Sequence, residues 1–205
     1  MYDFLRPFLY DFLRPIFAGL IKLANRFRVI GRQNVPRSGP VILVANHVSY
    51  WDPLVLGAAI PRRIVFLAKA SLFKVPVVGF FIKVWGAIPV RQGSTNRRNF
   101  KQWASVIQQG QVLGVFIEGT RNRNCPERML KPQPGPAALA LQTGAPVIPV
   151  ALINTRKVLW GFRRVTVVFG QPMFFQENPN QARKELLAGI GQQLVSEILR
   201  LKNSL

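Results

Sequence analysis

Apolar residues recur about every four positions through the first 28 residues. Phe4, Phe8, Phe12, Ile16 and Leu20 follow one another on this spacing, flanked by Leu5, Leu9, Leu13 and Phe17. That interval stacks side chains on one face of a helix. The segment repeats once, as YDFLRPFL and YDFLRPIF, with a period too short for a solenoid. Pro7 and Pro15 predict a kink or a restart in this helix. Beyond it the pattern changes. The turn-rich stretch GRQNVPRSGP leads into residues 41–44, a short apolar run typical of a strand buried on both faces. Residues 64–68, 87–90, 112–117, 147–152 and 165–169 read as further strands. A polar start at Ser94, Thr95 and Asn96 opens a helix whose Phe100, Trp103, Ala104 and Ile107 fall at helical spacing, closed by Gly110. A final helix carries Leu187, Ile190, Leu194, Ile198 and Leu201 on one face. Short strands alternating with helices predict an α/β fold with a largely parallel central sheet flanked by helices, and functional loops at the strand ends.

Composition sharpens this picture. With 205 residues, 49% of them hydrophobic, the chain can bury one substantial core, so a single domain is expected over residues 29–205, preceded by an amphipathic segment, residues 1–28. Lys and Arg number 28 against 8 acidic residues, a formal charge of +20. Such an excess calls for an anionic partner: nucleic acid, an acidic lipid surface, a phosphorylated substrate or an acidic carrier protein. The cations sit among apolar neighbours, as in Phe73-Lys74-Val75 and Ile82-Lys83-Val84, and not in a solvated tail. This favours a membrane surface over nucleic acid. Phe4, Phe8 and Phe12, with Arg6 and Arg14 at the border, then read as a membrane-docking face of an interfacial helix. Packing of the same helix on the domain's own core is the alternative. The longest uncharged stretch, residues 132–155, contains five prolines and is not expected to span a bilayer. Asp3, Arg6, Asp11 and Arg14 interrupt the N-terminal apolar sequence, which argues against a cleaved signal peptide. The single cysteine, Cys125, excludes an intramolecular disulfide and a cysteine-rich metal site.

Two stretches carry candidate chemistry. VANHVSYWD holds the only histidine of the chain, His47, five residues before Asp52. On one helix these two would stand about 140° apart, so they meet only through a bend. A strand ending before Asn46, and Asp52-Pro53 as a helix cap followed by a first-turn proline, supply that bend. A carboxylate on one imidazole nitrogen leaves the other as a general base and favours the protonated ring that forms during reaction. The competing reading has Asp52, or Ser49 with Asp52 as its box partner, merely capping the helix over a structural His47. In VFIEGTR, a buried strand ends in Glu118, Gly119, Thr120 and Arg121. Glycine frees the backbone to approach an anion and arginine can clamp a phosphate, although the same residues also make an ordinary turn.

Taken in order, NHVSYWD, GAIPVR, FIEGTR and VIPV resemble the four blocks of the glycerolipid acyltransferase family of 1-acylglycerol-3-phosphate acyltransferase type, over residues 28–172. The resemblance implies that His47 is the general base, that Asp52 orients it, and that Glu118, Gly119, Thr120 and Arg121 hold a phosphorylated acceptor. Lys69 falls where members carry a basic residue suited to the same phosphate. Ile117 and Asn122 stand where the family often has proline and serine. Arg91 directly follows Val90, an offset that reverses the facing of a side chain on a strand and leaves its phosphate role open. The implied reaction moves an acyl chain from acyl-CoA or acyl carrier protein to lysophosphatidate, with no bound cofactor and no metal. Glycerol 3-phosphate or another lysolipid is the alternative acceptor. The implied setting is peripheral, on the cytoplasmic face of an anionic membrane. A basic nucleic-acid-binding protein would explain the charge but neither the His-to-Asp spacing nor the strand running into Glu-Gly-Thr-Arg.

Overall fold

A computed structural model describes residues 2–90, 97–125, 128–158 and 164–205, with the backbone alone at 2–7, 97–98 and 157. Among the described residues, seven strands form one sheet: β1 (Arg28–Ile30), β2 (Val41–Ala45), β3 (Ile64–Lys69), β4 (Ile88–Val90), β5 (Val112–Phe116), β6 (Val147–Ile153) and β7 (Thr166–Phe169). Their order is β1-β7-β6-β2-β5-β3-β4. From β6 across to β4 every pairing is parallel, whereas β7 returns antiparallel to β6 and carries β1 parallel to itself. Apolar residues alternate between the two layers. Ile42 and Val44 of β2 face one core, Val41, Leu43 and Ala45 the other. Burial of both faces is why the central strands read as unbroken apolar runs.

The connections are helical. α1 (Tyr2–Ala24), α2 (Asp52–Ala59) and α3 (Pro76–Val84) cover one face of the sheet, and α4 (Arg97–Gln108), α5 (Gly135–Thr143) and α6 (Arg183–Asn203) the other. Ile190, Leu194, Ile198 and Leu201 of α6 are buried as their spacing predicts. At the centre of β5, Gly114 admits the ring of Phe66. A β-carbon there would stand 2.6 Å from it.

α1 runs unbroken from Tyr2 to Ala24 and is not restarted at Pro7 or Pro15. Each proline removes one N–H from the ladder, and packing of Tyr10, Leu13 and Phe17 against Phe81, Val84 and Trp85 holds the helix together. The other face is exposed: Phe8, Phe12 and Leu23 are 65%, 67% and 80% exposed, with Ile16 and Leu20 between them. The helix therefore has two apolar stripes, one packed on the domain and one turned outward. Arg14 does not border the outward stripe as expected. Its guanidinium turns in to the carbonyls of Gly57 and Ile60 and satisfies the C-terminal end of α2. The side chains of Phe4 and Arg6 lie outside the described residues. Among the described residues, no helix is long and apolar enough to cross a membrane.

Candidate active site

β2 and β5 are neighbours in register, Val41 opposite Val112 and Ala45 opposite Phe116. Both therefore release the chain at the same edge of the sheet. Asn46 prolongs β2 with its side chain: the amide donates to the Leu152 carbonyl at 3.0 Å, and its oxygen accepts the Leu152 N–H at 2.8 Å. The next residue is His47.

Asp52 is completely buried in the first turn of α2, and its Oδ2 reaches back toward the loop. It accepts His47 Nδ1 at 2.7 Å and the backbone N–H groups of Val48 and Ser49 at 2.7 and 2.8 Å. Oδ1 has no partner among the described residues, so all three bonds converge on one oxygen. The expectation that Asp52 caps α2 is thus corrected, because the carboxylate serves the residues before the helix and makes no cap bond to it. Nor does Ser49 cap it: among the described residues its Oγ accepts the N–H of Trp51, two residues on. With Nδ1 donating to the carboxylate, the lone pair of the neutral ring falls on Nε2. The imidazole is 16% exposed and lies flat against Phe116, ring centres 4.0 Å apart and planes 15° from parallel, with Phe66 stacked behind.

The second loop fastens the first. Glu118 was expected near the acceptor phosphate, and the structure gives it another task. It is 3% exposed, with Oε1 accepting the His47 N–H at 2.9 Å and Oε2 the Leu130 N–H at 3.0 Å. A carboxylate would repel a phosphate, and here it braces the backbone. Gly119 follows at φ 66°, where a β-carbon would meet Gln133 at 2.7 Å, so this turn requires glycine. Buried Asn122 donates its N–H to the His47 carbonyl at 2.7 Å, while its side chain bonds Cys125 twice and Arg128 once. The peptide groups on both sides of His47 are thereby held by the loop after β5.

Arg121 lies over the ring of Tyr50, its guanidinium carbon 3.3 Å from the ring centre, so the two loops also meet through side chains. Thr120 is exposed beside it. Lys69, exposed, ends β3, which pairs with β5, and stands on the same edge of the sheet. Arg91 lies outside the described residues. The structure therefore brings together His47, Asp52, Glu118 and Arg121. Sequence reasoning missed Asn46, Tyr50, Phe116 and Asn122, although the first two sit within the histidine stretch and Phe116 and Asn122 flank the Glu-Gly-Thr-Arg run. Among the described residues, no group of three or more His, Cys, Asp and Glu side chains is gathered for a metal ion.

A family model described as Acyltransferase matches residues 26–153. The chain is 37% identical over 134 residues to a 1-acyl-sn-glycerol-3-phosphate acyltransferase of Borreliella burgdorferi, covering 62% of this chain and 51% of that protein. It is 25% identical over 190 residues to the protein of the same description from Bacillus subtilis, covering 91% and 93%. A lyso-ornithine lipid O-acyltransferase of Pseudomonas aeruginosa is 31% identical over 172 residues, covering 83% and 59%. The chain thus spans about half the length of the Borreliella protein and nearly all of the Bacillus one. The fold is similar to that of the acyltransferase PlsC from Thermotoga maritima, with a TM-score of 0.71 and 22% identity over 98% of this chain and 82% of that one.

Proposed function

Because the chain belongs to the Acyltransferase family, we propose that it transfers an acyl group from a thioester to the free hydroxyl of lysophosphatidate, giving phosphatidate. The observation that carries this reading is the 2.7 Å bond between His47 Nδ1 and Asp52, made where β2 and β5 end together. Nε2 takes the proton of the acceptor hydroxyl as its oxygen attacks the thioester carbonyl. The tetrahedral intermediate collapses, the carbon–sulfur bond breaks, and the imidazolium returns its proton to the departing thiolate of coenzyme A or acyl carrier protein. Asp52 stabilises the transient imidazolium and keeps the ring in one tautomer. Arg121 and Lys69 supply positive charge for the acceptor's phosphate, with Gly119 and Thr120 forming the exposed turn beside it. Anchoring there places the hydroxyl against the base. This charge favours lysophosphatidate over an acceptor without phosphate, such as the lyso-ornithine lipid named for the Pseudomonas relative.

The outward stripe of α1 supports peripheral docking of residues 1–28 at the interface of an anionic bilayer, which we place on the cytoplasmic face, with residues 29–205 carrying the chemistry. The test presents lysophosphatidate, glycerol 3-phosphate and lysophosphatidylcholine side by side with one acyl thioester. Lysophosphatidate should be acylated fastest, and His47→Ala should lower that rate by roughly 10²–10⁴-fold while the folded state and vesicle binding persist. Wild-type turnover in His47→Ala would overturn the mechanism. Transfer to glycerol 3-phosphate alone would overturn the acceptor.

A further inference from the structure

Away from α1 and the active-site loops, a second group of exposed apolar side chains stands out. Val75, Val77 and Val78, at the start of α3, are 44%, 68% and 40% exposed. They follow one another along a helix whose other residues, Phe81, Val84 and Trp85, pack beneath α1. Exposed cations mark both ends, Lys74 just before α3 and Lys83 in its last turn. An apolar cluster bordered by a cation, here Lys74, on a chain of charge +20 is the chemistry of contact with an anionic lipid surface.

Its place on the fold gives it meaning. The side-chain partners of α1's middle lie at the edge of the sheet opposite to the active site: Arg14 reaches Gly57 and Ile60 at the end of α2, and Tyr10 packs on Trp85 and Arg63. From the C-terminal end of the helix the chain enters β1 at the active-site edge, Arg28 opposite Thr166. β1 is the outermost strand on that side. α3 runs the other way relative to its strand. It follows β3, which ends at Lys69, after a short 3-10 turn, Ala70–Lys74, that packs against β3 and β4, and Arg63, just before β3, donates to the carbonyl of Val84 at its far end. Its first turn therefore stands at the active-site edge, beside β3 and β4. β2 and β5, which carry His47 and Glu118, lie between these two places.

We infer that the first turn of α3, through Val75, Val77 and Val78, is a second bilayer contact that tilts the active-site edge onto the lipid surface. This rests on the reading of α1 as an interfacial helix. Docking through α1 alone leaves the molecule free to rock about one line, with its catalytic edge meeting the bilayer only near β1. Contact at the opposite end of that edge fixes the tilt and sets His47 at the depth where a lysolipid presents its hydroxyl. The occupant is the acyl–headgroup boundary of an anionic bilayer.

The experiment places a nitroxide at position 77 (Val77→Cys) or at position 12 (Phe12→Cys), each in a Cys125→Ser background, and adds vesicles of phosphatidylcholine and phosphatidylglycerol. Both labels should gain accessibility to dissolved oxygen and lose accessibility to a water-soluble nickel relaxant. A label at 77 that stays in water while the label at 12 inserts overturns this inference and leaves α1 docking standing. If neither inserts, both fall. In parallel, the double variant Val77→Ser and Val78→Ser should lose at least about ten-fold in kcat/KM on vesicle-borne lysophosphatidate, as expected for withdrawing two valine contacts. Its rate on a monodisperse short-chain lysophosphatidate should match wild type, which also reports that it folds. An unchanged rate on vesicles overturns the inference.

Discussion

His47 owes its place to its own peptide groups as much as to Asp52. Its N–H goes to Glu118, its carbonyl accepts Asn122, and its ring rests on Phe116. The carboxylate of Glu118 is accordingly a test of positioning. In Glu118→Gln one oxygen becomes an NH₂ facing a backbone N–H, donor against donor. We expect a loss of about 1–3 kcal/mol of stability in urea titration, together with a fall in kcat larger than any rise in KM for lysophosphatidate. A phosphate-binding role would move KM instead. The pairing of His47 with Asp52 was legible because a lone histidine, a strand end and an Asp-Pro dipeptide leave few ways to join them. The tasks of Glu118 and Arg14 were not. Sequence displays the charge of a side chain, but whether it faces solvent or a backbone amide is decided by distant segments, here Leu130 for one and the end of α2 for the other.

At the level of elements, α1 is attached through Tyr10, which is buried edge-on to Trp85 and lies beneath the guanidinium of Arg63. Burial pushes its phenol above the usual value of 10.0, against the opposing pull of Arg14 and Arg63. The unfolded chain therefore loses this proton first as pH rises. Stability is fully present below about pH 10 and falls above it. Tyr10→Phe should flatten this alkaline decline when unfolding is followed by circular dichroism, and an unchanged slope would show that other groups govern it. Six of the seven strands and the flanking helices α4 and α6 were readable from the pattern, whereas β1, three residues long, is too short to show one. α3 was not, because its run Pro76–Phe81 is apolar on every side. A helix whose outer face is as oily as its inner one offers no contrast from which to read a period.

Across the whole molecule the charge of +20 acts at longer range than any single contact. Attraction to phosphatidylglycerol vesicles should weaken steeply as ionic strength rises toward ~1 M, where the screening length shrinks to about 3 Å, leaving a salt-resistant remainder carried by Phe8, Phe12 and Leu23. Sedimentation with vesicles across a salt series measures both parts, and a flat profile would remove charge from the docking account. The alternation of strands and helices made the parallel sheet foreseeable, whereas the reversal at β7 was hidden, since a buried strand has the same composition in either direction. The equal lengths of β2 and β5 have a further consequence. Arg62 ties the loop before β2 and the turn before β5 together through the carbonyls of Pro36, Gly39 and Gly110, and each strand then runs five residues to its end. The two strands work as matched rulers from a common zero mark, so one extra residue inside either ruler would swing its last side chain to the wrong layer and separate the histidine from its support.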